Sequence, residues 1–245
     1  MFEKTLTFLG LAVLATTAIT AQAAPTPFDA RDIHGERVGP NTLLWAHVFR
    51  AARPRLAPDC SVNTDSDATA LPRFTNAKIA GIAFGPAPAS NFSADWVSTI
   101  GPTSFATWNA PLPGDSYFTF GSSLDSAMAK PSKFADGTNY MGMASLSGRT
   151  LAVTYVWSNS TTGRVIEADM FFSTNVTWGD LALGGTCPTG STYDREAIAT
   201  HELGHALGFD HLNVLMATMY PSASAGETRK RTLTAGEQAS AVNAF

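Results

Sequence analysis

Three histidines and a glutamate stand close together in the run His201-Glu202-Leu203-Gly204-His205-Ala206-Leu207-Gly208-Phe209-Asp210-His211. A helix has about 3.6 residues per turn, so His201 and His205 project from one face and can bind one metal ion as neutral imidazoles. Glu202 is one residue round from His201, close enough to reach a water molecule on that metal. This pattern indicates water activation by a metal, the chemistry of metal-dependent peptide-bond hydrolysis.

Gly208 allows the third histidine to join the first two. A glycine adopts positive φ without a Cβ clash and commonly ends a helix, so the chain can turn there and bring His211 back. Three nitrogen ligands leave one tetrahedral position open, which is typical of a catalytic zinc ion. The alternative is a surface helix whose histidines are only solvated. The spacing predicts one catalytic Zn²⁺ bound by His201, His205 and His211, with Glu202 as the catalytic residue.

The residues that follow extend the pattern: Leu215-Met216-Ala217-Thr218-Met219-Tyr220-Pro221. A histidine motif of this form followed by a methionine turn resembles the metzincin metallopeptidases, and Met219-Tyr220-Pro221 is most similar to the matrixin branch. The resemblance implies that Met219 lies beneath the metal ligands as a packing floor and does not bind metal. Met216 is the alternative, but Tyr-Pro does not follow it. Ordinary core packing would also explain either methionine.

Hydrophobic periodicity predicts mixed strands and helices across residues 71–245. The resemblance implies an α/β (α+β) class and a metzincin-like zincin fold: a twisted, mostly parallel sheet with an antiparallel edge strand, a catalytic helix and a C-terminal helix. The catalytic helix is predicted to begin between Ser191 and Asp194 and to run to Leu207, and the last helix opens at Thr234 with a capping box. Strands are predicted over residues 77–84, 117–120, 151–157 and 165–172, with a turn over 159–163 and a helix over 94–109.

The first residues have the features of a targeting segment. Lys4 precedes an apolar run that is too short for a good membrane span, and Ala21-Gln22-Ala23 fits a signal-peptide cleavage pattern. Residues 1–23 are therefore predicted to be a signal peptide, with cleavage after Ala24 or an uncleaved anchor as alternatives. The mature protein is predicted to be secreted, extracellular or periplasmic, without a stable membrane anchor.

Residues 24–70 precede the predicted catalytic domain, which spans residues 71–245. Composition favours either a prosegment or an N-terminal extension for this part and does not distinguish the two. Within it, residues 41–50 show helical character, and residues 59–69 are rich in Asp, Ser, Thr and Asn and are predicted to be a loop.

The chain contains two cysteines, Cys60 and Cys187. In an exported protein such a pair is most simply a disulfide. Matrixins often use a propeptide cysteine, within Pro-Arg-Cys-Gly-x-Pro-Asp, to fill the open metal position. The run Ala57-Pro58-Asp59-Cys60-Ser61 does not match that motif. A disulfide is therefore predicted, with a cysteine switch or two free thiols as alternatives.

Two departures limit what the family resemblance transfers. Animal matrixins carry a long loop with a second, structural zinc and bound calcium before the catalytic helix, whereas residues 173–192 are too short and contain no histidine. One zinc is therefore predicted, calcium is possible but no specific residue supports it, and Asp169 is predicted to be a solvated acid at a strand end. Ala223 stands where the family usually has a tyrosine that walls the pocket for the residue after the cut, so specificity does not transfer.

The combined pattern predicts a secreted zinc-dependent metalloendopeptidase with Glu202 as general base. It would be a monomer that acts on protein or peptide substrates, and an edge strand over residues 179–185 is predicted to pair with them. The net charge of −4 gives no reason to expect nucleic acid, and Arg229-Lys230-Arg231 is predicted to be solvated surface. The alternatives are a zinc-containing binding protein or adhesin, which would not need Glu202, and a hydrolase of non-peptide amides.

Overall fold

The computed structural model describes residues 30–52, 60, 66–75, 82–86, 96, 98, 100, 103–112, 118–120, 135–181, 187 and 190–244. The predicted signal peptide, residues 1–23, lies outside this part. The strands are β1 (Ile33–Gly39), β2 (Thr42–Ala51), β3 (Ile82–Pro86), β4 (Phe118–Phe120), β5 (Asn139–Ala144), β6 (Thr150–Asn159), β7 (Val165–Ser173), β8 (Thr177–Gly179), β9 (Thr192–Asp194) and β10 (Ser222–Ala223). The helices include α1 (Ser104–Asn109), α2 (Arg195–Ala206), α3 (Ala235–Val242) and a 3-10 turn at Arg229–Arg231, and residues 96, 98 and 100 are also helical.

Most of the strands form one sheet in the order β1-β2-β6-β7-β5-β3-β4, with β10 paired to β2, while β8 and β9 form a small separate sheet. Strands β7, β5, β3 and β4 run parallel, and β6 is antiparallel to β7. Within residues 71–245 the sheet has the predicted parallel strands with one antiparallel strand, but the sheet as a whole is mixed and β6 is not its edge. Residues 33–51 add two further antiparallel strands beyond β6, so β6 is an inner strand.

Strand β2 corrects the prediction of helical character for residues 41–50. Its sequence is almost continuously apolar, and such a run does not distinguish a strand from a buried helix. The strand is covered on both faces. Leu44 and Val48 pack into one apolar cluster with Val153, and Phe49 packs into the other cluster with Leu203. Burial on both faces removes the alternation that would have identified a strand.

The sequence located the other elements more closely. The predicted hairpin is present: β6 and β7 are antiparallel, the Gly163 amide donates to the Asn159 carbonyl at 2.7 Å, and Gly163 has φ +70°. Thr234 and Glu237 form the predicted capping box of α3. The predicted strand over 77–84 is described only from residue 82, where β3 begins, because residues 76–81 lie outside the described part.

Cys60 and Cys187 form a disulfide with a Cα–Cα distance of 5.3 Å. The disulfide prediction is thus confirmed, and neither a cysteine switch nor free thiols remain as alternatives. The bond fastens residue 60 to the segment that leads into β9 and α2. Within the described ranges, no helix is long and apolar enough to span a membrane.

Candidate active site

Helix α2 carries the histidine motif, and buried polar contacts determine where it begins. The Asp194 carboxylate is the N-cap and accepts the Ala197 amide at 2.8 Å. The Arg231 guanidinium pairs with both oxygens of Asp194, at 2.8 and 2.5 Å. A carboxylate at a helix N-terminus satisfies a free amide and complements the helix dipole. The predicted start near residues 191–194 is confirmed.

Helix α2 ends as the glycine predicts. The last helical residue is Ala206, and Gly208 has φ +85°, which reverses the chain direction. The Asp210 amide then donates to the Pro72 carbonyl at 2.9 Å, which holds the returning segment in place. The turn brings His211 back over the helix.

The three predicted ligands meet at one point. The Nε2 atom of His201 lies 3.2 Å from Nε2 of His205 and 3.3 Å from Nε2 of His211. On the far side of the rings, Nδ1 of His201 lies 2.7 Å from the Thr218 carbonyl, and Nδ1 of His205 lies 2.8 Å from the Phe209 carbonyl. Because a carbonyl only accepts, each Nδ1 carries the proton, so the Nε2 atoms of these two rings present lone pairs.

The site fits a metal cation. Two unprotonated Nε2 atoms cannot hydrogen-bond to each other, so their approach needs a cation between them. Ligand atoms around a tetrahedral zinc with Zn–N bonds of about 2.0–2.1 Å are separated by about 3.3 Å, close to the observed spacing. Burial lowers the pKa of His201 and His205 well below the ordinary value, and that of His211 to about 4, which keeps the rings neutral as ligands.

Glu202 lies beside the histidines with one oxygen fixed and one free. Its Oε2 accepts the Thr154 hydroxyl at 2.5 Å, while the buried Oε1 has no partner. Burial raises the pKa of Glu202 to about 8. A carboxylate held through one oxygen can exchange a proton through the other. The sequence did not identify Thr154, which comes from β6.

Met219 packs beneath the helix, as the resemblance implied. It is fully buried against Gly204, where a Cβ would collide with the methionine sulfur. Its amide donates to Glu237 at 2.8 Å, and the Thr218 amide donates to the same carboxylate at 3.2 Å. The capping-box glutamate of α3 therefore also positions the methionine turn. Met216 lies off this floor and contacts Arg229.

A comparison with protein families matches the matrixin model, Peptidase_M10, over residues 115–243, more than half of the chain. The chain belongs to the matrixin family of metallopeptidases. No curated protein matches its sequence. As a matrixin it is a hydrolase that acts on protein substrates. Matrixins typically bind zinc and are generally extracellular, and the histidine cluster and the disulfide agree with both properties.

Arg229 and Lys230 of this matrixin's basic triplet are buried and Arg231 is only 11% exposed, which corrects the prediction of solvated surface. Lys230 is fully buried, and its Nζ donates to the carbonyls of Ala217 and Tyr220 at 3.2 and 3.0 Å. Burial lowers the pKa of Lys230 to about 7. Arg229 is also buried and pairs with Glu227 at 2.9 Å. Lys230 thus holds the backbone of the methionine turn, a role that local charge density does not reveal.

Asp169 is a buried mid-strand residue, which corrects its prediction as a solvated acid. Its Oδ1 accepts the Tyr140 amide at 3.0 Å, and its Oδ2 is buried without a partner. Glu167 is buried nearby and accepts the Gly137 amide. In the described part of the chain, three histidines come close enough together to hold a metal ion, and no acidic group does.

The edge strand predicted over residues 179–185 is not found where it can be checked. Strand β8 ends at Gly179 and pairs with β9 in the small sheet, and residues 180 and 181 are outside any strand. Residues 182–186 lie outside the described part. The main sheet instead has a different element beside the histidines, strand β2.

One histidine at the site was missed by sequence reasoning. His47 of β2 is buried, and its ring stacks on His205 with centroids 4.3 Å apart. One ligand atom each of His47, His205 and His211 lies within 4.8 Å of the other two. Nothing local to β2 signals this contact, because it depends on long-range strand pairing.

Proposed function

We propose that this matrixin is a zinc-dependent endopeptidase that acts outside the cytosol. The observation that carries the proposal is the convergence of three neutral imidazoles next to a glutamate with one free oxygen. His201, His205 and His211 would hold the metal, and Glu202 would be the general base. A pure metal-binding protein has no need for that glutamate.

Zinc, when bound, supplies a Lewis acid that makes water nucleophilic near neutral pH and polarises the scissile carbonyl. The protein supplies the proton transfers. The Thr154 hydroxyl orients Glu202 through Oε2, so that Oε1 can take a proton from the attacking water and deliver it to the leaving amine. The carbonyls of Thr218 and Phe209 hold two of the imidazole rings in the orientation that points Nε2 inward.

The proposed location rests on sequence and on the disulfide. Residues 1–23 have the charge, apolar run and small-residue end of a signal peptide. The Cys60–Cys187 bond supports this location, because structural disulfides form and persist mainly in oxidising compartments. N-terminal sequencing of exported protein, with Ala24 or Pro25 expected as the first residue, checks the cleavage site.

The variant Glu202→Ala tests the catalytic role. Because the histidines remain, we expect the variant to bind one zinc per chain, measured by elemental analysis. Peptide cleavage should fall at least about a thousandfold, since proton transfer and water orientation are lost together. Wild-type turnover in the zinc-loaded variant would refute the role of Glu202.

A peptide library with mass-spectrometric readout separates the proposed activity from its alternatives. A zinc endopeptidase cuts internal peptide bonds, loses activity with a zinc chelator and regains it with added zinc. Cleavage that survives the chelator, or release of small amides without internal cuts, contradicts the proposal.

A further inference from the structure

Strand β2 covers the edge of the sheet next to the proposed active site. It pairs with β6 along its whole length, from Thr42 opposite Asn159 to Arg50 opposite Thr150. Without β1 and β2, β6 would be the last strand on this side of the sheet. An exposed edge strand binds extended peptides by adding a strand. Because Thr154 of β6 contacts Glu202, a peptide on this edge passes beside the glutamate.

The far end of β2 is held on both sides. Arg50 and Ala51 pair in parallel with Ser222 and Ala223 of β10, while β6 lies on the other side. The strand therefore lies in a groove between the sheet and the segment after the methionine turn. The groove continues past Ala51 into a cavity of about 270 Å³.

His47 projects from β2 into the histidine cluster. It is 1% exposed, and its Nε2 is buried without a hydrogen-bond partner. Its Nδ1 lies 3.5 Å from the Asp210 carboxylate, and its ring stands edge-on to that of His211 at 5.9 Å. An unpartnered nitrogen buried among metal ligands is costly unless a cation satisfies it. Three motif histidines leave one tetrahedral position free, and His47 can supply the fourth ligand.

Phe49 lies two residues further along β2 and projects from the same face. It is fully buried, and its ring packs on His201 with centroids 4.1 Å apart. The Lys230 ammonium lies 5.7 Å from the centre of the same ring. β2 thus places one side chain at the histidine cluster and the next inward side chain in a buried pocket beside it, as a bound peptide would.

We propose that the hairpin β1–β2 is an autoinhibitory prosegment, in which β2 occupies the substrate groove and His47 is the fourth metal ligand. This inference rests on the proposed function, since it assigns the regulation of that same site. It chooses the prosegment over the permanent extension for this part of residues 24–70. In this proposal His47 blocks the metal site. Cys60 cannot be the blocking ligand, because it is in the disulfide.

The disulfide sets where the prosegment can be separated. Cys60 is fastened to Cys187, so the chain from Cys60 onward stays attached to the catalytic domain. The hairpin has no such bond and ends in the Ala52 amide, which donates to Ala223 at 2.9 Å. Cleavage between Ala52 and Cys60 releases the hairpin and leaves the disulfide intact.

Cobalt-substituted full-length protein tests the ligand without measuring activity. With His47 bound, the visible spectrum of wild-type protein should not change on adding azide. The variants His47→Phe and His47→Gln open one position, so azide should bind and shift the bands. His34→Phe is the matched control, since His34 is exposed on β1 and should leave the wild-type response intact. Azide binding to wild type and variants alike overturns the role of His47.

A full-length chain with a site-specific protease sequence inserted between Ala52 and Cys60 tests the blocked groove. After cutting and chromatographic removal of the hairpin, peptide cleavage should rise at least about tenfold, because a tethered segment competes at a high effective concentration. A synthetic peptide of residues 42–52 should restore inhibition. An equal rate before and after release overturns autoinhibition. Autoinhibition is also overturned if the cut hairpin separates from the catalytic domain only when that domain unfolds.

The two proposals fail in different ways. If neither the intact nor the released form cleaves any peptide while azide still distinguishes His47→Phe, the peptidase proposal fails and the metal ligand stands. If the intact chain cleaves peptides as fast as the chain freed of its hairpin, and azide binds to the wild-type protein, the autoinhibition proposal fails. The peptidase proposal then still stands.

Discussion

Single atoms decide how the candidate site can react. Two backbone carbonyls place the protons of His201 and His205 on Nδ1, which leaves Nε2 for a metal. The Thr154 hydroxyl occupies one oxygen of Glu202 and leaves the other without a partner. The proposed metal-binding and proton-transfer roles both depend on these hydrogen bonds to the backbone carbonyls and to Thr154.

At Gly204 of α2, the neighbouring side chains leave no room for a Cβ atom. In Gly204→Ala the new Cβ would collide with the Met219 sulfur and lie 2.9 Å from the Trp108 ring. We expect a loss of about 1–3 kcal/mol in the free energy of unfolding, although alanine is the better helix former. Urea unfolding of zinc-loaded protein measures it.

The double variant Gly204→Ala/Met219→Ala is the control. It removes the side chain that the new Cβ meets, so its cost should be smaller than the sum of the two single costs. A Gly204→Ala protein as stable as wild type would contradict the packing argument.

At the scale of elements, the start of α2 depends on one buried ion pair. Asp194 has a fully buried side chain, and Arg231 is 11% exposed. Arg231→Gln leaves the carboxylate without its cation, so we expect a loss of about 3–5 kcal/mol in unfolding free energy. Arg195→Gln is the matched control, because its partner Asp180 is 48% exposed and the pair should contribute less than about 1 kcal/mol. If urea unfolding gives equal losses of unfolding free energy for Arg231→Gln and Arg195→Gln, the start of α2 does not depend on the buried ion pair.

The junction of β5 and β7 makes stability depend on pH. Burial raises the pKa of Glu167 from 4.5 to about 7 and that of Asp169 from 3.8 to about 8, and the charge of Glu167 adds to the shift of Asp169. The folded chain therefore keeps protons that the unfolded chain releases. This contribution is fully present below about pH 4 and is lost as the pH rises through about 7 to 8.

The variant Asp169→Asn tests this dependence. Wild type should lose unfolding free energy relative to the variant as the pH rises from about 5 to about 8, measured by urea titration of both proteins at equal metal loading. Curves that stay parallel across this range would show that the buried carboxylates do not titrate as described.

At the scale of the whole molecule, the disulfide joins parts of the chain that are far apart in sequence. Cys60 and Cys187 are separated by 127 residues, and a loop of this size restricts the unfolded chain strongly. We expect Cys60→Ser/Cys187→Ser to lose about 2–5 kcal/mol of unfolding free energy, and reduced wild type to match it. A double variant as stable as the oxidised wild-type protein would show that the disulfide does not stabilise the fold.

The parts of the candidate site that depend on local geometry could be predicted from the sequence. Helix periodicity places His201, Glu202 and His205, one glycine returns His211, and the methionine turn follows within a few residues. The hairpin of β6 and β7 and the capping box at Thr234 were predictable for the same reason, since the residues that form each of them are neighbours in the chain.

The side chains that reach the site from remote segments could not be predicted, because their positions depend on tertiary packing. The apolar run of β2 fits a helix or a strand equally well, and pairing with β6 is what makes it a strand and brings His47 to the histidine cluster. Likewise, the charges of Lys230 and Arg231 resemble a solvated surface until the methionine turn and Asp194 fold around them. Such contacts join segments that are remote in sequence, so their partners and burial are set by the packing of the whole chain.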